Sequence, residues 1–208
     1  TTLWKVINID KDFYVANVVI RSIADNVALL FLIYNKDEGE IRILRHYLFL
    51  LDGIRSRLAN LIIPIKNDDI TEEEYQKLVK QQEDFKSMLN GCKKYIIECI
   101  TSLKIYNTNK LGIDMLMKNK KGEELYNWKF KTLNIVPSQI NTEKNTYNWK
   151  SMYSEIKLPE KFFSSFLSDY VHGLSMSNIT IASDKQNMGT LVYITKVLME
   201  RIELFIHK

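Results

Sequence analysis

Residues 13–34 read FYVANVVIRSIADNVALLFLIY, apolar on every side except for one small polar island. A helix that is hydrophobic all round is normally a buried one. The stretch therefore predicts a central helix, capped by Asp10 and ending near 35–39, around which the rest of the chain packs. The island consists of Arg21, Ser22, Asp25 and Asn26. At about 100° per residue, Arg21 stacks on Asp25 and Ser22 on Asn26, and Leu29 and Leu32 continue that face without charge. A solvated face would stay polar along its whole length. Here polarity starts and stops within two turns, so these groups are expected to meet polar partners from elsewhere in the fold. A buried guanidinium without a partner is prohibitively unstable, so Arg21 must find a carboxylate, carbonyls or water. Two readings follow: an Arg21–Asp25 pair that pins helix packing, and a functional pocket built on the same groups.

The remaining composition suits helices. With 46% hydrophobic residues but seven Gly and three Pro in 208 positions, the chain has ample core material and few breakers, which predicts an all-α helical bundle. Its length fits a single helical domain over 1–208. No window reaches the roughly 18 uninterrupted apolar residues of a membrane span, because Arg21, Asp25 and Asn26 break the best candidate. No secretory pattern opens the chain, so a cytoplasmic protein with no membrane partner is expected. Cys92 and Cys99 fall on one helix face roughly 10 Å apart, too far to bridge. Without His or Cys at ligand spacing beside them, they read as reduced packing residues, and no metal or cofactor is expected.

The net charge of +4 is too mild to imply nucleic acid without clustering. The densest excess runs from Lys104 to Lys131, with Tyr106, Tyr126, Trp128 and Phe130 interleaved among lysines. Basic plus aromatic can grip phosphates and stack bases. The same pattern also describes a solvated connector whose aromatics tuck back onto the bundle.

Further along, a second helix is expected from Glu40 to Leu61. Ile43, Leu44, Tyr47, Leu48, Leu51, Ile54 and Leu58 form its apolar face, with Arg42, Arg45, Asp52, Arg55 and Arg57 elsewhere. The short link before it favours an antiparallel hairpin with the first helix. Thr71 and Glu74 make a capping box for a long third helix reaching about Tyr106. Its strongly polar first half should project or fray; its second half, with Met88, Leu89, Cys92, Tyr95, Ile96, Cys99, Ile100 and Leu103, should pack, and Gly91 is a candidate break between them. An irregular insert over 107–141 follows, holding a short helix at 113–117 and a turn at 120–123. Thr142 or Asn145 should open a short helix carrying Trp149, Met152 and Tyr153. Pro159 opens the next, whose apolar stripe of Phe163, Phe166, Leu167 and Tyr170 opposes Ser165, Ser168, Asp169 and His172. Gly173 places His172 in the last turn, where free carbonyls favour its protonated form. A capping box of Ser183 and Gln186 starts the last helix.

Leu167-Ser168-Asp169-Tyr170-Val171-His172, preceded by an aromatic segment with Trp149, resembles the Leu-Ser-x-Tyr-Val-His signature of a bacterial all-helical family of unknown function. Arg21-Ser22-Ile23-Ala24-Asp25 resembles the same family's Arg-Ser-x-x-acid element, with Asp where Glu is commoner. The resemblance implies an all-α fold and brings Arg21, Asp25, Ser168 and His172 forward as one shared site; it leaves 64–141 without a counterpart. The family is similar in style to HEPN domains, helical bundles often found in phage defence, whose ribonuclease members use an Arg and a nearby His. Two pairs invite that comparison here. Arg201 and His207 point apart on a continuous helix, and Arg42 and His46 stack without the helix break that the ribonuclease motif needs.

Ser168, Asp169 and His172 share a face as a nucleophile, an acid and a base would, but no Gly-x-Ser-x-Gly turn or oxyanion element accompanies them. No phosphate cradle or dinucleotide fingerprint is present. The leading expectation is an RNA-linked or phage-defence protein in the HEPN manner, with His172 as general base and Arg21 stabilising phosphate charge. The alternative is a non-catalytic interaction protein whose island fixes helix packing and whose third helix recruits a partner. RNA, another protein or a second copy of the chain are the candidate partners.

Overall fold

The computed structural model describes residues 5, 13–62, 64–66, 69–133, 145–161, 163 and 185–206. Among the described residues there are seven helices: α1 (Phe13–Tyr34), α2 (Gly39–Ala59), α3 (Glu72–Ser102), α4 (Lys104–Thr108), α5 (Lys110–Met117), α6 (Trp149–Glu155) and α7 (Lys185–Ile206). Extended pairing within the same residues is limited to two isolated bridges, Lys118 with Glu124 and Phe130 with Thr146. The fold is all-α, as composition predicted. Two compact units result, one formed by Thr1–Lys36 with Tyr147–Lys208 and the other by Asp37–Thr146.

In the first unit α1 packs against α6 and α7. Ala16, Ile20, Ala24, Ala28, Leu32 and Ile33 are buried, and the three alanines on that side let neighbouring backbones come close. Burial is not all-round, however. Val15, Ser22, Asn26, Leu30 and Tyr34 form an exposed stripe on the other side, because the partners cover one flank only. Nor does the island remove the helix from the range of membrane spans: Val15–Tyr34, at a mean hydropathy of 1.7, is long and apolar enough to cross a bilayer by length and composition. α6 starts at a reciprocal capping box, Asn148 Oδ1 accepting from the Ser151 amide and Ser151 Oγ from the Asn148 amide, a little later than expected. Leu191, Ile194 and Leu198 are the buried stripe of α7. The capping residues Ser183 and the stretch holding Ser168 and His172 lie outside the described residues.

In the second unit α2 packs on α3 and α4. Leu44, Leu48, Leu51 and Ile54 are buried as their spacing requires, whereas Ile43 is exposed and Tyr47 and Leu58 are half-buried; the helix expected to pair with α1 in a hairpin belongs to the other unit. The Thr71–Glu74 capping box opens α3 as read from the sequence. The helix passes Gly91 without a break and buries Leu89, Ile96 and Ile100, all from its second half, whereas Met88, Cys92 and Tyr95, expected to pack, are exposed because they lie on the neighbouring face that α2 does not cover. It stops at Leu103, short of Tyr106, because the Glu40 carboxylate on α2 accepts from the backbone amides of Lys104 at 3.1 Å and Ile105 at 2.8 Å, capping α4 as a new helix. At Gly112 the carbonyl of Leu133 comes so near that a Cβ would sit 2.6 Å from it, which explains the glycine inside α5. Beyond α5 the chain is irregular to Leu133, and Tyr126, Trp128 and Phe130 are buried there. The aromatics of the basic connector thus turn inward, leaving lysines 118, 120, 121 and 131 outside.

Candidate functional site

The island on α1 divides into an inner and an outer pair. Ser22 and Asn26 are exposed and serve each other, the Asn26 amide donating to the Ser22 carbonyl at 2.7 Å. Arg21 and Asp25 turn inward. Arg21 Nε donates to Asp25 Oδ1 at 2.8 Å, and Arg21 Nη1 donates to the carbonyl of Phe163. The Tyr153 hydroxyl donates to the same Asp25 oxygen, and the guanidinium carbon lies 5.3 Å from the centre of the Tyr153 ring. This is the long-range polar partnership that an unpaired guanidinium demands.

Local sequence explains why these groups meet. Arg21 and Asp25 are one turn apart on the flank that α1 turns towards α6. The capping box at Asn148 sets the start of α6 and so the direction in which Tyr153 projects. Phe163 is tied back to Pro159 by its amide at 3.2 Å, which orients the carbonyl that receives Arg21. Tyr153 and Phe163 are fully buried, with ring centres 5.4 Å apart, and Trp149 stacks on Tyr153 at 6.1 Å. The Arg21 side chain retains 11% of its exposure and Asp25 30%, so the carboxylate keeps more access to water than the arginine does.

Burial, then the hydrogen bond to Asp25, pushes the Tyr153 hydroxyl well above its ordinary range, so it stays protonated and acts as a donor. Arg21 donates through Nε to Asp25 and through Nη1 to the Phe163 carbonyl, and the arrangement ties α1 to α6. Comparison with known proteins brings no match. No family model, no curated relative and no solved structure matches this chain. The resemblance drawn on residues 21–25 and 167–172 therefore stands on those residues alone, and of the four site residues named from sequence the structure describes Arg21 and Asp25.

Further groups emerge that sequence reasoning passed over. Near the end of α1, Lys36 donates to Glu155 at 2.6 Å, and the Tyr147 hydroxyl donates to the same carboxyl at 3.1 Å. Burial works against the charge on Glu155, but the hydrogen bonds from Lys36 and Tyr147 outweigh it and hold the carboxyl below its usual range. Val27, Phe31, Ile156, Arg201 and Leu204 are among the residues lining a cleft of about 790 Å³ beside this pair. In the second unit, Arg45 is completely buried. Its Nη1 donates to the carbonyls of Trp128 at 2.7 Å and Phe130 at 2.9 Å, and its Nε to Asp37 at 2.7 Å. Nothing in the pattern of α2 separates Arg45 from Arg42, Arg55 and Arg57; the carbonyls that mark it arrive from a distant loop.

Proposed function

We propose that this chain is a non-catalytic interaction protein in which the polar island fixes helix packing and the projecting half of α3 receives a protein partner. One observation carries this reading. From Glu72 to Met88, α3 contributes no buried residue, yet it presents Leu78, Phe85 and Met88 at 43%, 39% and 53% exposure. Apolar side chains held in a row in water forgo about 25 cal/mol for each Å² left uncovered, and clustered exposed apolar surface is the usual mark of a binding face. An RNA-directed role with Arg21, Asp25, Ser168 and His172 asks Arg21 to meet a phosphate. Arg21 is already held by Asp25 and the Phe163 carbonyl and its side chain keeps 11% of its exposure, so little of it faces the solvent from which a phosphate would come, which is why the interaction reading is preferred.

A photoreactive benzophenone amino acid at position 85 of the full chain tests it in living cells. Irradiation is expected to give a covalent adduct with a protein. Adducts with RNA instead, or no adduct at all, would overturn the reading.

A further inference from the structure

We infer that the partner of this α3 face is a second copy of the same chain, its α3 lying antiparallel across the first. The inference rests on the interaction reading above and adds the identity and direction of the occupant.

The exposed residues follow a rule stricter than amphipathicity. Leu78, Gln81, Phe85, Met88, Cys92 and Tyr95 alternate at intervals of three and four, the spacing of a coiled-coil seam, over about 26 Å of helix at 1.5 Å per residue. Leu89 and Ile96, which flank this seam on one side, are already buried within the unit. A partner helix must therefore approach over the other flank, occupied by Lys77, Asp84, Gly91 and Glu98. That flank is open: a Cβ on Gly91 would meet nothing within 4 Å, so another backbone can come near there.

Charge decides the occupant and its direction. In the first half of α3 Glu72, Glu73, Glu74, Glu83 and Asp84 outnumber Lys77 and Lys80; in the second half Lys86, Lys93 and Lys94 outnumber Glu98, with Lys93 paired to Glu124 in its own chain. Parallel copies would set acidic half against acidic half. Antiparallel copies set each half against its opposite and also align the helix dipoles favourably. In that register Leu78 faces Tyr95 of the partner subunit, Phe85 faces Met88 of the partner subunit, and Gln81 faces Cys92 of the partner subunit. On the open flank Lys77 meets Glu98 of the partner subunit. Both Lys77 and Glu98 are exposed and have no ion-pair partner among the described residues. An aromatic ring against a thioether and an apolar–aromatic layer are favourable contacts in such a seam.

The test is the mass of the full chain by sedimentation equilibrium, with charge swaps on the exposed flank. The unaltered chain should show twice the chain mass. Lys77→Glu and Glu98→Lys should each return it to the chain mass, since each places like charges face to face twice. The double variant should restore the doubled mass. Gln81→Cys should add a disulfide-linked dimer on mild oxidation with diamide, lost when Cys92→Ser is added. A monomer at every concentration, a dimer indifferent to the single swaps, or a double variant that stays monomeric would overturn self-pairing. If a monomer still gives a protein adduct at position 85, only the identity of the partner fails; if no adduct forms, the interaction reading fails as well.

Discussion

Arg21 in the first unit and Arg45 in the second are both inward-facing arginines that tie a helix to a distant carbonyl, yet they differ in how completely water is removed. Arg45 is 0% exposed and sits 4.0 Å from the Phe130 ring, with the Trp128 and Phe130 carbonyls and Asp37 around it. Arg21 keeps a fringe of solvent, and its acid partner keeps more. The difference teaches that an arginine's worth to a fold depends on what its removal would strand. Around Arg45 two buried carbonyls would lose their donor with little water to replace it, whereas the part-exposed Asp37 and Asp25 can rehydrate.

The largest expected effect therefore belongs to Arg45. Arg45→Ala should lower the unfolding free energy by about 3–5 kcal/mol, the range for removing one member of a buried ionic network, in urea unfolding followed by circular dichroism. A loss below about 1 kcal/mol would mean that the loop carbonyls are satisfied without it. Arg21→Ala should cost less, about 2–3 kcal/mol by the same measurement, because the remaining carboxylate is part-exposed and still accepts from Tyr153. Equal losses from the two substitutions would erase the distinction between them.

These arginines also show what could be read in advance. Arg21 stood out because it interrupts an apolar helix, so contrast with its own neighbours announced a buried polar partnership. Arg45 had no such contrast, lying in an amphipathic helix beside three other arginines. Its burial follows from a loop more than eighty residues away, which no local period encodes. The same limit governs helix ends. The start of α3 was legible because Thr71 and Glu74 cap each other locally, whereas its end at Leu103 is set by Glu40 on another helix. The all-α class, the buried stripe of α2 and the projecting half of α3 followed from composition and spacing. The open flank of α1 did not, since a helix that could be covered on every side reveals nothing about how many neighbours arrive.

The smallest expected effect is the most telling, because it concerns an aromatic residue that ought to matter if it were core. Phe85→Gln, measured by urea unfolding at a concentration low enough to keep both chains monomeric, should leave the unfolding free energy within about 0.5 kcal/mol of the unaltered protein, as for a surface position. A loss above about 2 kcal/mol, approaching the 3–5 kcal/mol typical of truncating a core aromatic, would place Phe85 inside its own unit and leave α3 with no free face to offer a partner.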